Sequence, residues 1–235
     1  MPDKPVLIMG SAPNVTACAA WPSSRFSAIV AINNAWQVRP DWTHHIAPDD
    51  FPLDRAPKAL EAGQIRVTSS TYVPANNRYG GILYAGGTMA FTAGYWALAA
   101  LKPSAMIFVG CDMIYPQDKR THFYGTGTAD PLRDDISLRN LEAKSARLLL
   151  HAAAQGCVCL RADSPESRLL FPIKTPEALE ETASLPDAKA FNSVKAQEKE
   201  LAYHVASGRY WESETPFSPA KLDAIDDLWL AALTA

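Results

Sequence analysis

Short apolar runs alternate with longer segments of helical period along the first two thirds of the chain. Six of these runs are bounded by turn residues and predict β-strands. They are Val6–Met9, Ala28–Ile32, His44–Ile46, Ile65–Thr68, Met106–Val109 and Cys157–Leu160.

Two segments between the strands have clear helical character. Thr88–Leu101 is apolar on nearly all sides, which predicts a helix enclosed by other elements, whereas Leu138–Gln155 is amphipathic. Gly156 follows the second segment and is typical of a helix C-cap. The alternation of strands and helices predicts an α/β protein with a Rossmann-like, mostly parallel sheet and helices on both faces.

The last third of the chain has a different pattern, in which helix-start signals recur without strands. Thr175 precedes Pro-Glu, Asp187 opens an amphipathic run, and Ser218 precedes Pro219. The sequence therefore predicts a nucleotide-binding Rossmann-like domain over residues 1–173 and a helical C-terminal extension, residues 174–235, packed on it.

Composition narrows the class of protein. Nearly half of the 235 residues are apolar, which is enough for a sizeable core, and the net charge of −3 argues against a general nucleic-acid-binding protein. The N-terminus lacks a signal-peptide pattern, and the longest apolar stretch, Met89–Leu101, is too short to cross a bilayer. We therefore expect a cytoplasmic protein with no transmembrane segment.

The four cysteines are Cys18, Cys111, Cys157 and Cys159. In a strand, the Cys-Val-Cys spacing of the last two directs both thiols to one face. No histidine or cysteine cluster completes a zinc site, so the sequence predicts buried free thiols.

Small and polar residues follow three of the predicted strands. Gly10-Ser11 follows the first strand, Asn33 the second, and Gly110-Cys111-Asp112 the fifth. Ligands of open α/β sheets bind outside the carboxyl ends of the strands, where glycine lets the backbone approach a phosphate and asparagine can bind a sugar hydroxyl or a base edge. Together the three turns favour a nucleotide-type site.

Two further segments are candidates for the same site. Gly87 and Thr88 directly precede the apolar helix, whose N-terminus would attract an anion. The Gly- and Thr-rich loop 118–131 contains His122 and Tyr124, and long loops inside compact domains are often functional. A histidine in such a loop is suited to general-base catalysis.

Two pairs of adjacent carboxylates are the candidate metal ligands. Asp49-Asp50 follows the third strand, and Asp134-Asp135 precedes the amphipathic helix as helix-start charge. Metal-dependent glycosyl transfer often uses two acids one residue apart, and neither pair has that spacing. The sequence predicts no metal site.

The order of these segments resembles that of bacterial CMP-sialic acid-dependent sialyltransferases and of the wider sialyltransferase-like, motility-associated glycosyltransferase-like group. The segments that carry the resemblance are Gly10-Ser11-Ala12-Pro13-Asn14, Asn33, Gly86-Gly87-Thr88 with its Ala-rich helix, "IFVGCDMIY" and "CLRADSPESRLLFP". The resemblance covers about residues 5 to 173.

The resemblance implies a metal-independent glycosyltransferase that needs no cofactor and uses a nucleotide-activated sugar, such as a CMP-sugar, with a small or glycan acceptor. It implies His122 as the general base and Tyr115 and Tyr124 as partners of the departing phosphate. The implied donor-site residues are Gly10, Ser11, Asn33, Gly87, Thr88, Gly110 and Asp112.

Two alternatives remain open at this point. A pterin pyrophosphokinase-like enzyme would need Mg²⁺ and would use Asp49, Asp50 and Asp112 to hold it. A non-catalytic nucleotide-binding or partner-binding protein could share the fold, since fold does not determine function.

Overall fold

A computed structural model describes residues 4–115, 120–125, 133–162, 166–174 and 187–234. Six strands form one sheet and lie within one residue of the predicted positions. They are β1 (Val6–Met9), β2 (Ala28–Ile32), β3 (His44–Ile46), β4 (Ile65–Val67), β5 (Ala105–Val109) and β6 (Val158–Arg161).

The sheet is parallel throughout, in the order β4-β3-β2-β1-β5-β6. The chain builds outward from β1 to β4, returns to the other side of β1 to form β5, and ends with β6. Met9 is paired with Ala31 of β2 and with Val109 of β5, so the three central strands end level with one another. The strand order reverses between β1 and β5, which is where α/β proteins of this kind bind ligands.

The α-helices of the described residues are α1 (Ser69–Asn77), α2 (Ile82–Ala85), α3 (Met89–Ala100), α4 (Leu141–Ala153), α5 (Ala188–Leu201) and α6 (Pro219–Leu233). Side-chain acceptors cap four of them. Three of the caps, Thr88, Asp187 and Ser218, confirm predicted helix starts, while the start predicted at Thr175 lies outside the described residues.

Two helical regions differ from the prediction. The amphipathic helix begins at Leu141 rather than Leu138, because Asn140 caps it and a short 3₁₀ turn capped by Asp135 precedes it. The region that contains α1 and α2 was not predicted, since α1 contains Pro74 and has no clear apolar stripe and α2 is only four residues long.

The two faces of the sheet carry different kinds of helix. Ile8 of β1 belongs to the core that the α-helices α1, α3 and α4 complete, whereas Leu7 and Met9 contact the other core. That second core includes Val15 and Cys18 of the 3₁₀ helix Pro13–Ala20. The fold is therefore α/β and Rossmann-like, with α-helices on one face and 3₁₀ helices on the other.

Helices α5 and α6 pack on α4 through buried apolar and charged contacts. Lys144 and Arg147 of α4 form ion pairs with Asp226 of α6 and Glu198 of α5. The division of the chain at residue 173 stays a prediction. All four cysteines are buried free thiols, and none of the helices that the structure describes is long and apolar enough to span a membrane.

Candidate functional site

A cavity of about 300 Å³ opens at the carboxyl ends of β1, β2, β3 and β5, beside the N-terminus of α3. Its volume is at the lower end of the range for small-molecule sites. Eight of the ten predicted site residues line it: Gly10, Ser11, Asn33, Thr88, Gly110, Tyr115, His122 and Tyr124. Residues far apart in sequence thus converge at the point where the strand order reverses.

Gly10 and Gly110 form the floor of the cavity, and both are required for the ends of β1 and β5 to approach each other. A Cβ atom on Gly10 would lie 2.1 Å from the carbonyl oxygen of Gly110. Gly110 has a φ of 68°, and a Cβ there would lie 2.6 Å from Val15 Cβ. The sequence predicts that Gly10 lets the backbone approach a phosphate. The close approach of Gly110 is by itself enough to require a glycine at this position.

Asn33 and Asn34 extend from the end of β2 into the cavity wall. Asn33 adopts a left-handed conformation, with φ of 52°, and its carbonyl oxygen lies 2.8 Å from Nε2 of buried His45, which therefore donates this hydrogen bond. The side-chain Oδ1 of Asn33 is buried and has no partner among the residues that the structure describes. Asn34 is only 5% exposed, lines the cavity, and makes no side-chain hydrogen bond in the described part of the chain.

Such an arrangement is unusual, because buried amides almost always have hydrogen-bond partners. Non-glycine residues with positive φ are also uncommon and concentrate at functional sites. Two of the four among the described residues, Asn33 and Met113, line this cavity, whereas Lys102 and Ala202 lie at helix ends. The unpaired amide and the two positive φ angles both indicate that this wall of the cavity is shaped for a ligand.

The N-terminus of α3 faces the same cavity. Thr88 caps the helix, with its Oγ1 accepting from the N–H of Phe91 at 3.4 Å. Met89 and Ala90, the first two helical residues, line the cavity. Their backbone N–H groups make no hydrogen bond within the described residues. These groups and the helix dipole provide partial positive charge for an anion.

His122 lies on a tight turn that is held against the end of β1. Its N–H donates to the carbonyl of Gly125 at 2.9 Å, and the N–H of Phe123 donates to the carbonyl of Ser11 at 2.9 Å. Phe123 packs into the core beneath. The turn therefore fixes His122 relative to the β1 turn.

The His122 ring lies between two tyrosine rings. Its centroid is 5.0 Å from that of Tyr124, in a stacked arrangement, and 6.3 Å from that of Tyr115. Burial lowers the pKa of His122 below its ordinary value of 6.5, so the ring is neutral at physiological pH. Nδ1 lies 2.9 Å from Thr121 Oγ1, and if Nδ1 carries the proton, Nε2 can accept one.

Two predicted donor-site residues, Gly87 and Asp112, do not line the cavity. The N–H of Gly87 donates to Ser137 Oγ at 2.9 Å, and a Cβ atom there would lie 2.6 Å from Tyr210 Oη, so this glycine is needed for contact with the C-terminal region. Asp112 lines a separate small crevice, where its carbonyl accepts from the N–H of Arg168 at 2.9 Å.

Sequence reasoning did not select Arg55, whose exposed side chain lines the cavity and makes no ion pair within the described ranges. Arg55 lies in a short 3₁₀ turn, and no sequence motif marks such an arginine as a site residue. Asn34 was visible only as the neighbour of Asn33. Met113 gave no sequence signal, because its positive φ is set by the fold.

The carboxylates do not assemble around a common point. Asp50 lines both this cavity and an adjoining one, which Asp49 also lines, whereas Asp112 lies in a separate crevice. Asp135 caps the 3₁₀ turn, as expected for helix-start charge, and accepts from Tyr210 Oη. Among the residues that the structure describes, no group of three histidine, cysteine or acidic side chains could hold a metal ion.

Comparisons with protein-family models, with curated proteins and with solved structures find no match to this chain. The resemblance to sialyltransferase-like proteins therefore stays a prediction, and the fold and the geometry of the cavity are the evidence on function.

Proposed function

We propose that this protein is a glycosyltransferase that uses a nucleotide-activated sugar, with His122 as the general base and no metal ion in the donor site. The observation that carries the proposal is the convergence of His122, Tyr115 and Tyr124 with the strand-end turns in a single cavity. CMP-sialic acid is the first donor to test, because the resemblance in sequence points to it.

The cavity has the groups that such a donor requires. The N–H groups at the start of α3 and the guanidinium of Arg55 can bind a phosphate, while Asn33 and Asn34 can bind sugar hydroxyls or a base edge. Among the described residues, no partner of these groups would have to be displaced by a ligand.

In the proposed reaction, Nε2 of His122 removes the proton from the acceptor hydroxyl. The acceptor oxygen then forms a bond to the anomeric carbon as the bond from that carbon to the phosphate oxygen breaks. The leaving nucleotide carries the electron pair of that bond, and phenol groups can stabilise its charge. Tyr115 and Tyr124 lie beside His122 and are the candidates for this role.

The pterin pyrophosphokinase-like alternative depends on carboxylates that hold Mg²⁺ together. Asp49 and Asp50 share the adjoining cavity, but Asp112 lies in a separate crevice, so the three acids do not surround one point and the alternative has less support.

A thermal-shift panel tests the proposal with CMP, UDP, GDP and ATP, each with and without Mg²⁺. A ligand that binds only the folded chain raises the melting temperature. We expect CMP to stabilise the protein equally with and without Mg²⁺. Stabilisation by ATP only with Mg²⁺ would favour the pyrophosphokinase alternative, and no response to any nucleotide would contradict a nucleotide site.

A further inference from the structure

A separate cavity of about 550 Å³ lies where the end of α1 meets α4 and α5. None of the residues that line it lines the candidate active site. Its walls include the side chains of Tyr79 and Tyr84, and basic groups surround it. Nothing in the proposed reaction uses this cavity.

The cavity concentrates positive charge on a protein whose net charge is −3. Four cationic side chains line it, together with a single carboxylate, Glu198. Arg147 neutralises that carboxylate by donating to both of its oxygens at 2.8 Å. The charges of Arg78, Lys195 and Lys199 are left without a carboxylate partner in the described structure, which favours an anion.

Two residues that line this cavity each have a buried polar atom with no partner in the part of the chain that the structure describes. His151 is 5% exposed and is surrounded by aromatic rings, and its Nε2 makes no hydrogen bond. Oδ1 of Asn77 is also buried and unpaired, while its Nδ2 donates to the carbonyl of Ala206 at 2.8 Å. Unpaired buried groups of this kind are rare, and a ligand with both a donor and an acceptor would satisfy them.

We propose that this cavity binds a small organic phosphomonoester. Three uncompensated cations match the charge of a phosphomonoester, which is close to −2 at neutral pH, better than that of a single carboxylate. The neutral His151 ring can donate to a phosphate oxygen, and the Tyr79 and Tyr84 rings can contact an organic body. The inference stands apart from the proposed transfer reaction, because it shares no residue with that site.

Isothermal titration calorimetry of the full chain with phenyl phosphate, phenol and inorganic phosphate tests this proposal. We expect phenyl phosphate to bind, phenol to give no measurable binding, and inorganic phosphate to bind at least tenfold more weakly than phenyl phosphate. Absence of phenyl phosphate binding, or binding of phenol or inorganic phosphate as tight as that of phenyl phosphate, would overturn the proposal.

Charge reversal locates the binding. The double variant Lys195→Glu/Lys199→Glu removes two exposed cations of the cavity, and we expect it to weaken phenyl phosphate binding at least tenfold. The matched control, Lys189→Glu/Lys221→Glu, alters two exposed lysines outside the cavity and should change binding less than twofold. Equal weakening in both double variants would show only non-specific attraction and would contradict the site.

His151→Phe provides a second measurement that does not depend on net charge. The substitution keeps a ring among Tyr79, Tyr95 and Trp229 but removes the unpaired nitrogen. We expect at least about tenfold weaker phenyl phosphate binding, in line with the loss of one hydrogen bond to a charged group. Unchanged affinity would contradict the role of His151.

Discussion

The candidate active site and the ion pairs between α4 and the C-terminal helices differ in whether their buried polar side chains have partners. In the strand-end cavity, Oδ1 of Asn33 is buried without a partner among the described residues, and the Asn34 side chain makes no hydrogen bond with them. At the C-terminal contact, Lys144 Nζ lies 2.6 Å from Asp226 Oδ1, and both side chains are at most 2% exposed.

The polar cluster around Arg147 is similarly complete. Arg147 donates to Glu198, to Tyr95 Oη and to the carbonyl of Tyr79, and Trp229 Nε1 also donates to Glu198. A buried network with its partners in place holds helices together, whereas an incomplete one costs stability unless a ligand completes it. The difference indicates that the strand-end cavity is shaped for binding, whereas the paired charges of Lys144 and Arg147 hold the helices together. The unpaired His151 beside them belongs to the second cavity.

The largest expected effect is on catalysis. His122→Ala should lower kcat for CMP-sugar-dependent transfer by about 10²–10⁴-fold, because the proton of the acceptor hydroxyl loses its base. The dissociation constant for CMP, measured by calorimetry, should stay within about threefold. Loss of CMP binding together with turnover would show that His122 has a different role.

Breaking the buried ion pair should have the next largest effect, and on stability rather than chemistry. Arg147→Met leaves Glu198 buried without its partner and should lower the free energy of unfolding by about 3–5 kcal/mol in urea denaturation. The matched control is Arg139→Met, which breaks the exposed ion pair with Asp223 and should change stability little. Similar losses in both variants would contradict the structural role of the buried pair.

A pair of asparagine substitutions compares the two kinds of buried amide directly. Asn76 is fully buried, and its Nδ2 donates to the carbonyls of Tyr72 and Thr92, although its Oδ1 has no partner within the described residues. Asn76→Leu removes both of these bonds and should cost about 1–3 kcal/mol of stability. Asn34 makes no such bonds, so Asn34→Leu should leave the free energy of unfolding nearly unchanged and weaken CMP binding by about tenfold. A large loss of stability in Asn34→Leu would show that this residue is structural.

The smallest expected effect is on the pH dependence of activity. Burial lowers the pKa of His122, so the neutral, proton-accepting form persists below pH 6.5. The value of kcat/KM should therefore fall only as the pH drops through an apparent pKa lower than 6.5, and at pH 6.5 more than half of the maximal rate should remain. An acidic limb at or above pH 6.5 would show that another group controls the rate.

Local patterns in the sequence were enough to locate the strands and several helix starts. The strand Val6–Met9 and the caps at Thr88, Asp187 and Ser218 depend on residues within about four positions of one another, and sequence shows such relationships directly. The parallel order also placed the turns after β1, β2 and β5 at one edge, because parallel strands end on the same side of a sheet.

The tertiary structure alone decided which of these residues have partners. Gly10 is a glycine because Gly110 approaches it, Gly87 contacts Tyr210 instead of the cavity, and Arg55 reaches the cavity without any motif. Burial and hydrogen bonding depend on groups that are distant in sequence and meet only after folding. For that reason the sequence by itself determined the strands, the strand-end turns and the helix caps. The unpaired amide of the strand-end cavity and the buried ion pairs of the C-terminal helices depend on the packed chain.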